Sequence, residues 1–424
     1  MAEISGYPAR KAALRLLDAV LRRGETLDQA FGSATGQLTE FADKALARAL
    51  ASEVLRWLVD LDALIDSATK RNLPDDAKAR SVLRIMLASW LRLETPPHAV
   101  IATALPLLDG GPRRLAHGVF STLAKRKAAL PEKPTLPERA QRRWGTRSDE
   151  IAAGLAVPPP LDLTLKDETA TEAWADRLNA QVMAPGSLRL HRGQAVERIA
   201  GYEDGHWWAQ DFAAAIPARL IGAGAGRAAL DLCAAPGSKT LQLAAAGWRV
   251  TALDISKRRL ERVAENCERT GLAADIVRAD VLKWRPRLVD GSEAVFDAIL
   301  LDAPCTATGT LRRHPDVIHR IGERQIVELA ELQAAMLERA AAWLKPGGVL
   351  VYAVCSLEAE EGEAQAALFD EKGLLKPDKV RPEELPAILA SDALQDGRVR
   401  THPGMMAEKG GLDGFFVARW RKAL

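Results

Sequence analysis

From about residue 8 to residue 129 the apolar positions recur every three or four residues, the spacing of helices buried on one side. LARALASEVLRWLVDLDALI (46–65) aligns Leu50, Val54, Leu58, Leu61 and Leu64 in one stripe. ARSVLRIMLASWLRLE (79–94) does the same with Val82, Leu83, Met86, Leu87, Trp90 and Leu91. Pro96 and Pro97 are expected to end that second helix, because proline disfavours helix in the residue before it. Shorter helices are predicted over 98–109 and 115–127, separated by GGP at 110–112. Residues 1–130 therefore read as an all-helical domain with no catalytic constellation of its own.

The rhythm changes after that. Residues 131–160, with PEKPTLPE and PPP, read as a proline-rich basic linker holding one helix near 137–145. LDLTLK, SLRLH and HWWAQD are short strand candidates, and 161–215 is expected to be a small α/β subdomain. Beyond residue 216 strand, turn and helix alternate: AALDLCAAPG, RVTALDIS, ADIVRAD, FDAILLDAPC and GGVLVYAVCSL are apolar runs separated by helix-length segments. That alternation predicts a doubly wound parallel sheet over 216–424, with GFFVARWRK as a last strand at or near an edge. In such folds ligands collect outside the carboxyl ends of the strands, so the residues that matter should stand where each run stops.

Composition narrows the class. Among 424 residues, 48% hydrophobic and 27% charged, no run reaches the roughly 18 apolar residues of a membrane-spanning helix. The opening MAEISGYPARKAALRLLDAVLRR lacks the continuous apolar stretch of a secretory signal. Cys233, Cys267, Cys305 and Cys355 are too few and scattered for a disulfide framework, and no C-x-x-C or Cys/His cluster points to a metal. A monomeric cytoplasmic protein with free thiols, no metal and no membrane contact is expected. Net charge is only +2, but residues 1–150 carry 24 Lys+Arg against 18 Asp+Glu. Arg113, Arg114, Lys125, Arg126 and Lys127 head a basic stripe that runs to Arg147 with Trp144 interleaved. A polyanion-binding surface requires such a stripe, and a solvated helix face looks the same.

Chemistry gathers at the strand ends. In LDLCAAPGSKT (230–240) the small residues Ala234, Ala235 and Gly237 let backbone approach a ligand at a helix N-terminus, although close helix–strand packing would use the same residues. The loop is neither a Walker A motif nor G-x-G-x-x-G. Asp254, 23 positions after Asp231, ends the second run, where a carboxylate can take ribose hydroxyls; Asp280 ends the third and can meet an adenine amino group. Either aspartate alone is an ordinary helix cap, but with the loop they favour an adenosine-containing ligand. Cys305 and Cys355 close the fourth and fifth runs. Strand cysteines are commonly inert small hydrophobes; two of them at neighbouring strand ends, one beside Asp302, are a candidate reactive pair.

Several separated segments, in order, resemble the RNA 5-methylcytosine methyltransferases of the RsmB/NOP family. They are EDGHWWAQDFAA, LDLCAAPGSKT, DAPCTATGTLRRHPD, VYAVCSLEAEEGE and GLDGFFVARW, within a stretch from about 165 to 424. PPHAV (96–100) and HGVFSTLAKR (117–126) resemble the NusB-like helical RNA-binding domain carried by one branch. The resemblance implies a Rossmann-like methyltransferase domain that takes S-adenosylmethionine on Cys233, Ala234, Ala235, Pro236, Gly237, Ser238, Lys239, Asp254, Asp280 and Asp302. It implies that Cys355 adds to C6 of a cytosine, that Cys305 assists release of the covalent adduct, and that Asp302 and Lys239 line the base pocket. The implied substrate is 16S small-subunit ribosomal RNA, with transfer RNA, or a catalytically vestigial assembly factor, as alternatives. Arg312 and Arg313 after Cys305 are candidates to grip the RNA backbone beside the basic stripe. Val354 stands where the family has threonine, Ser238 where glycine is common, Thr306 where serine is common, and His117 where asparagine is usual.

Overall fold

The computed structural model describes residues 6–191, 195–287 and 295–424. They form two compact units: the chain up to Pro158 together with Leu311–Ile321, and Pro159–Thr310 together with Gly322–Leu424.

The first unit is all helical. Helices Tyr7–Arg23, Leu27–Thr35, Phe41–Arg56, Leu58–Ser67, Lys78–Leu91, Pro97–Ala104 and Gly110–Lys125 enclose a core that includes Leu16, Leu17, Leu50, Val54, Leu61, Met86 and Phe120. The single stripe expected over 46–65 is two helices. Trp57, at φ −107° and ψ 19°, breaks the ladder and buries its indole, so the stripe turns a corner into the core. Pro97 begins a helix as its first residue, and GGP at 110–112 is the first turn of the next one rather than a spacer. First-turn N–H groups have no intrahelical acceptor, so proline there removes nothing.

The stretch read as a linker is also folded. It holds helices Glu138–Trp144 and Ser148–Leu155, and Leu136, Ala140, Trp144, Ile151 and Leu155 are buried at helical spacing. Thr135 donates from both its N–H and its hydroxyl to Asp60, at 2.9 and 2.6 Å. Arg56 donates to the Leu155 carbonyl at 3.0 Å and to that of Arg312 at 2.9 Å. Segment 311–321, with its short helix Val317–Arg320, is thus part of this unit although it comes late in the chain.

The second unit carries two sheets. Strands β1 (Leu161–Leu165), β2 (Gln181–Ala184), β3 (Ser187–Leu190) and β4 (Trp207–Ala209) pair antiparallel in the order β2-β3-β1-β4. The larger sheet uses β5 (Ala228–Leu232), β6 (Arg249–Asp254), β7 (Ala274–Arg278), β8 (Phe296–Asp302), β9 (Leu344–Val354), β10 (Lys376–Pro377), β11 (Leu394–Gln395), β12 (Arg398–Arg400) and β13 (Phe416–Arg421). Its order is β11-β12-β13-β9-β8-β5-β6-β7, with β10 on β13. Strands β5 to β9 are mutually parallel, as the alternation predicts. The sheet is mixed overall, because β13 runs antiparallel to β9 and is enclosed by β12. The last strand is therefore an inner one, which explains why Phe416, Val417, Ala418 and Trp420 are all buried.

Residue alternation assigns the two faces. Ala298, Leu300, Val349 and Val351 pack with Phe212 and Ile216 of helix Phe212–Arg219. Ile299, Leu301, Leu350 and Tyr352 pack with Met336 and Leu337 of helix Glu323–Ala342 and with Phe369 of helix Glu363–Glu371. Helices on both faces leave the carboxyl ends of β5, β6, β8 and β9 as the place where loops converge. Among the described residues no helix is long and apolar enough to cross a membrane, and no group of three or more His, Cys, Asp or Glu is placed to hold a metal ion.

Candidate active site

The loop after β5 is built to expose backbone. Cys233 at φ 61° and Gly237 at φ 107° turn the chain into the left-handed region on either side of Ala234–Pro236. A side chain at Gly237 would lie 3.3 Å from the Val263 backbone, so only glycine fits easily. Helix Ser238–Ala245 then starts with no side-chain cap and no acid in its first turn. Its N-terminal N–H groups suit a ligand carboxylate.

Asp254 is buried and organises this loop, accepting from Ser256 N–H at 2.9 Å and Ala235 N–H at 3.3 Å, with Arg259 3.3 Å away. Beneath the loop Asp231 is fully buried; it takes the Thr240 hydroxyl on one oxygen at 2.5 Å, and its other oxygen has no protein partner. Burial pushes its carboxyl up to about 7, against the Thr240 bond and with the Asp302 charge. Asp280 lies two residues past the end of β7, half-buried, and accepts from Leu282 N–H at 2.9 Å. The cradle and the uncapped helix start fit a ligand that carries a carboxylate, as S-adenosylmethionine does. Cys233 is not a reactive thiol: burial, then the charges of Asp254, Asp302 and Asp231, push it up to about 12.

Strands β8 and β9 are adjacent, with Asp302 opposite Ala353. That register delivers the two cysteines to one place: Cys305 Sγ and Cys355 Sγ are 3.4 Å apart. The hydrogen bond shared with Cys355, and then burial, hold Cys305 far above the ordinary thiol range, so it stays protonated. Lys239, in the first turn of its helix, places Nζ 2.7 Å from Asp302 Oδ2 and 5.4 Å from the Phe415 ring centroid. Burial works against the ammonium, but the charge and hydrogen bond of Asp302, then Cys355 and Asp231, outweigh it and raise its pKa. An anchored cation, a carboxylate and two thiols share the mouth of one sheet.

The loops that bear the cysteines meet on a residue the sequence did not single out. Glu361 is fully buried. Its Oε1 accepts from Thr306 N–H at 2.9 Å and Gln333 Nε2 at 3.0 Å; its Oε2 accepts from the Thr306 and Ser356 hydroxyls, each at 2.5 Å. Gln333 also donates to the Pro304 carbonyl at 2.9 Å, and Gly309 N–H to the Cys355 carbonyl at 3.0 Å. Gly309 is needed because a Cβ there would sit 1.9 Å from the Gly414 oxygen. Arg400, buried on β12, donates to the Ser356 carbonyl at 2.5 Å. Four glutamates fall between 358 and 363, two of them buried, and no spacing marks Glu361 as the one on which the two loops meet.

The RNA-binding candidates divide. Arg113, Arg114, Lys125, Arg126 and Lys127 are exposed on or just after helix Gly110–Lys125. Arg312 is 2% exposed and lies inside the helical unit, so its guanidinium is not available to a phosphate as expected; Arg313 is half-buried beside it. Trp144 is buried in the helical core and not interleaved at the surface. Its apolar face won over its place in a charged run.

The profile of the family described as 16S rRNA methyltransferase RsmB/F matches residues 222–421, and that of the NusB family matches residues 7–110. Ribosomal RNA small subunit methyltransferase B of Klebsiella pneumoniae subsp. pneumoniae is 33% identical over 392 residues, 85% of this chain and 89% of that protein. Its namesake from Citrobacter koseri is 31% identical over 441 residues, 97% and 98% of the two chains. The crystal structure of PH0851 shares the fold along 97% of this chain and 99% of its own, with a TM-score of 0.72 at 22% identity. A methyltransferase homolog from Pyrococcus horikoshii, 25% identical, matches 67% of this chain and 93% of its own with a TM-score of 0.55. With the relatives matched over nearly their whole length, the chain belongs to the RsmB/F family of 16S rRNA methyltransferases.

Proposed function

We propose that this protein methylates C5 of a cytosine in 16S small-subunit ribosomal RNA, using S-adenosylmethionine, through a covalent link between Cys355 and C6 of the base. The observation that carries this reading is the pair of sulfurs 3.4 Å apart at the ends of β8 and β9, next to the Lys239–Asp302 ion pair. Cytosine C5 is a weak nucleophile until another atom adds to C6, and a cysteine sulfur is the strong nucleophile that can do so. S-adenosylmethionine supplies, when bound, an electrophilic methyl carbon. Residues 233–239, Asp254 and Asp280 would hold it. Asp302, 2.7 Å from Lys239 Nζ, is placed to accept from the N4 amino group and so orient the base, and the Lys239 ammonium beside it is the charge that can balance the negative charge growing on the ring as Cys355 adds. In release the C5–H pair becomes the C5=C6 double bond and the C6–S pair leaves with Cys355; Cys305, 3.4 Å away, would give its proton to that departing sulfur and take up the one from C5.

The target base must leave its stack to reach a sulfur at a strand end, which favours a single-stranded or loosely structured element. The five exposed cations at 113–127 supply a face for the surrounding phosphates. The test is transfer of labelled methyl groups to naked 16S ribosomal RNA and, in parallel, to transfer RNA, mapped by bisulfite sequencing. One new 5-methylcytosine in the ribosomal RNA is expected. Label confined to transfer RNA would overturn the substrate, and no label in either RNA would overturn the reaction.

A further inference from the structure

Cys305 and Cys355 sit on loops from different strands, and nothing covalent sets their separation. Direct bonds such as Gly309 N–H to the Cys355 carbonyl and Leu357 N–H to the Thr308 hydroxyl join the loops, and the Glu361 carboxylate is the group on which the neighbours of both cysteines converge. Thr306, next to Cys305, gives it both N–H and hydroxyl; Ser356, next to Cys355, gives it a hydroxyl. Gln333 ties the same carboxylate to helix Glu323–Ala342 and to the Pro304 carbonyl, and the Tyr352 hydroxyl donates to the Glu361 carbonyl at 2.6 Å. Four donors on two oxygens is the pattern of an acceptor-only carboxylate. Burying such a group costs free energy that its hydrogen bonds must offset, and these donors are neutral and belong to the elements that flank the sulfurs.

We infer that Glu361 is the positioning residue that holds Cys305 and Cys355 at working distance from each other. The inference rests on the two-cysteine reading above. Glu361 touches neither substrate nor cofactor; it acts through Thr306 and Ser356. An amide in its place keeps the volume but brings an NH2 group into the cluster. Facing Thr306 N–H and Gln333 Nε2, that group meets donors; facing the hydroxyls, it requires both to turn and accept, although Ser356 Oγ already accepts from Glu358 N–H at 3.0 Å. Either way the set of bonds through which both loops converge on this residue is rearranged.

The test compares full-length wild type, Glu361→Gln and Ser356→Ala. A displacement near 1 Å at a reacting group lowers turnover by about 100-fold. Glu361→Gln should therefore lose about 100-fold in kcat, with KM for 16S ribosomal RNA and calorimetric affinity for S-adenosylmethionine within about twofold of wild type. Ser356→Ala removes one donor and leaves the carboxylate its others; it should lose about tenfold in kcat with the same unchanged binding. It also serves if Glu361→Gln does not fold. Turnover within about twofold of wild type in both variants would overturn the positioning role. So would a lower kcat accompanied by a raised KM, weaker cofactor binding and a lower melting temperature, since that is a structural role. A wild-type protein that makes no 5-methylcytosine would remove the underlying reading and this inference with it.

Discussion

The sulfurs of Cys305 and Cys355 stand 3.4 Å apart although fifty positions separate them in the chain. Adjacent parallel strands explain the meeting, since β8 and β9 end side by side and each hands its cysteine to the same loop cluster. The bond it shares with Cys355, and then burial, hold the Cys305 thiol well above the ordinary thiol range.

Cys355→Ala is expected to lower methyl transfer by about 10⁴-fold or more, the scale on which removing a nucleophile acts. Cofactor binding by calorimetry should persist, because the loop at 233–239 does not depend on that side chain. Turnover near wild type would remove Cys355 as nucleophile.

Cys305→Ala leaves the nucleophile and takes away the neighbouring thiol. A protein–RNA species that survives denaturing electrophoresis should accumulate in that variant. Its absence, with Cys355 active, would contradict a role for Cys305 in release.

Lys239→Met strands Asp302 without its ion partner. The Lys239 side chain is 8% exposed and that of Asp302 29%, so the loss should fall between the roughly 1 kcal/mol of exposed pairs and the roughly 3 kcal/mol or more of fully buried ones. Urea denaturation reads the stability term. Steady-state kinetics should show kcat/KM reduced by at least about tenfold if Asp302 orients the base.

Stability should depend on Glu384 in the acid range. The hydrogen bonds from Arg419, outweighing burial, and then those from Arg381 lower its carboxyl from 4.5 to about 2. A folded-state pKa below the unfolded one gives stability that is present above about pH 4.5 and lost as pH falls toward 2. Glu384→Gln should cost about 2 kcal/mol at pH 7, and the difference from wild type should shrink steadily below pH 4.5 in urea titrations. A difference that stays constant down to pH 2 would exclude this source.

Replacing Lys125, Arg126 and Lys127 together by glutamine should flatten the dependence of log K on log salt for RNA by about 2, near 0.7 for each phosphate that no longer meets a cation. Arg312→Gln should leave that slope unchanged and lower the melting temperature instead, because Arg312 is buried in the helical unit. The opposite pattern would return Arg312 to the RNA-binding face.

What the sequence made legible follows from how locally each feature is encoded. The parallel strands β5 to β9 are short runs ending at Leu232, Asp254, Arg278, Asp302 and Val354, mostly apolar except for the exposed β7, and their alternation with helix-length segments finds them. Cys305, Cys355, Lys239 and Asp302 stand at those ends, so topology brings them together once the runs are recognised. Residues placed by tertiary packing were not legible. Glu361 looks like its neighbours Glu358, Glu360 and Glu363, and only the fold shows that its partners come from three separate elements. Trp144 and Arg312 look like surface residues of a basic stretch, and only the fold shows that both are buried. β13 ends the chain yet lies inside the sheet because short strands contributed by residues 394–400 close over it.

The helical unit is discontinuous: its first 158 residues are completed by Leu311–Ile321. His319 is bonded to the Leu55 carbonyl at 2.7 Å, Arg139 donates to the Ile318 carbonyl at 3.1 Å, and Leu311, Val317 and Ile318 are buried. On the ribosome, therefore, these contacts must wait while more than 150 further residues are made. The N-terminal unit is finished only after the strand leading to Cys305 has been synthesised, so the order of assembly runs against the order of the chain.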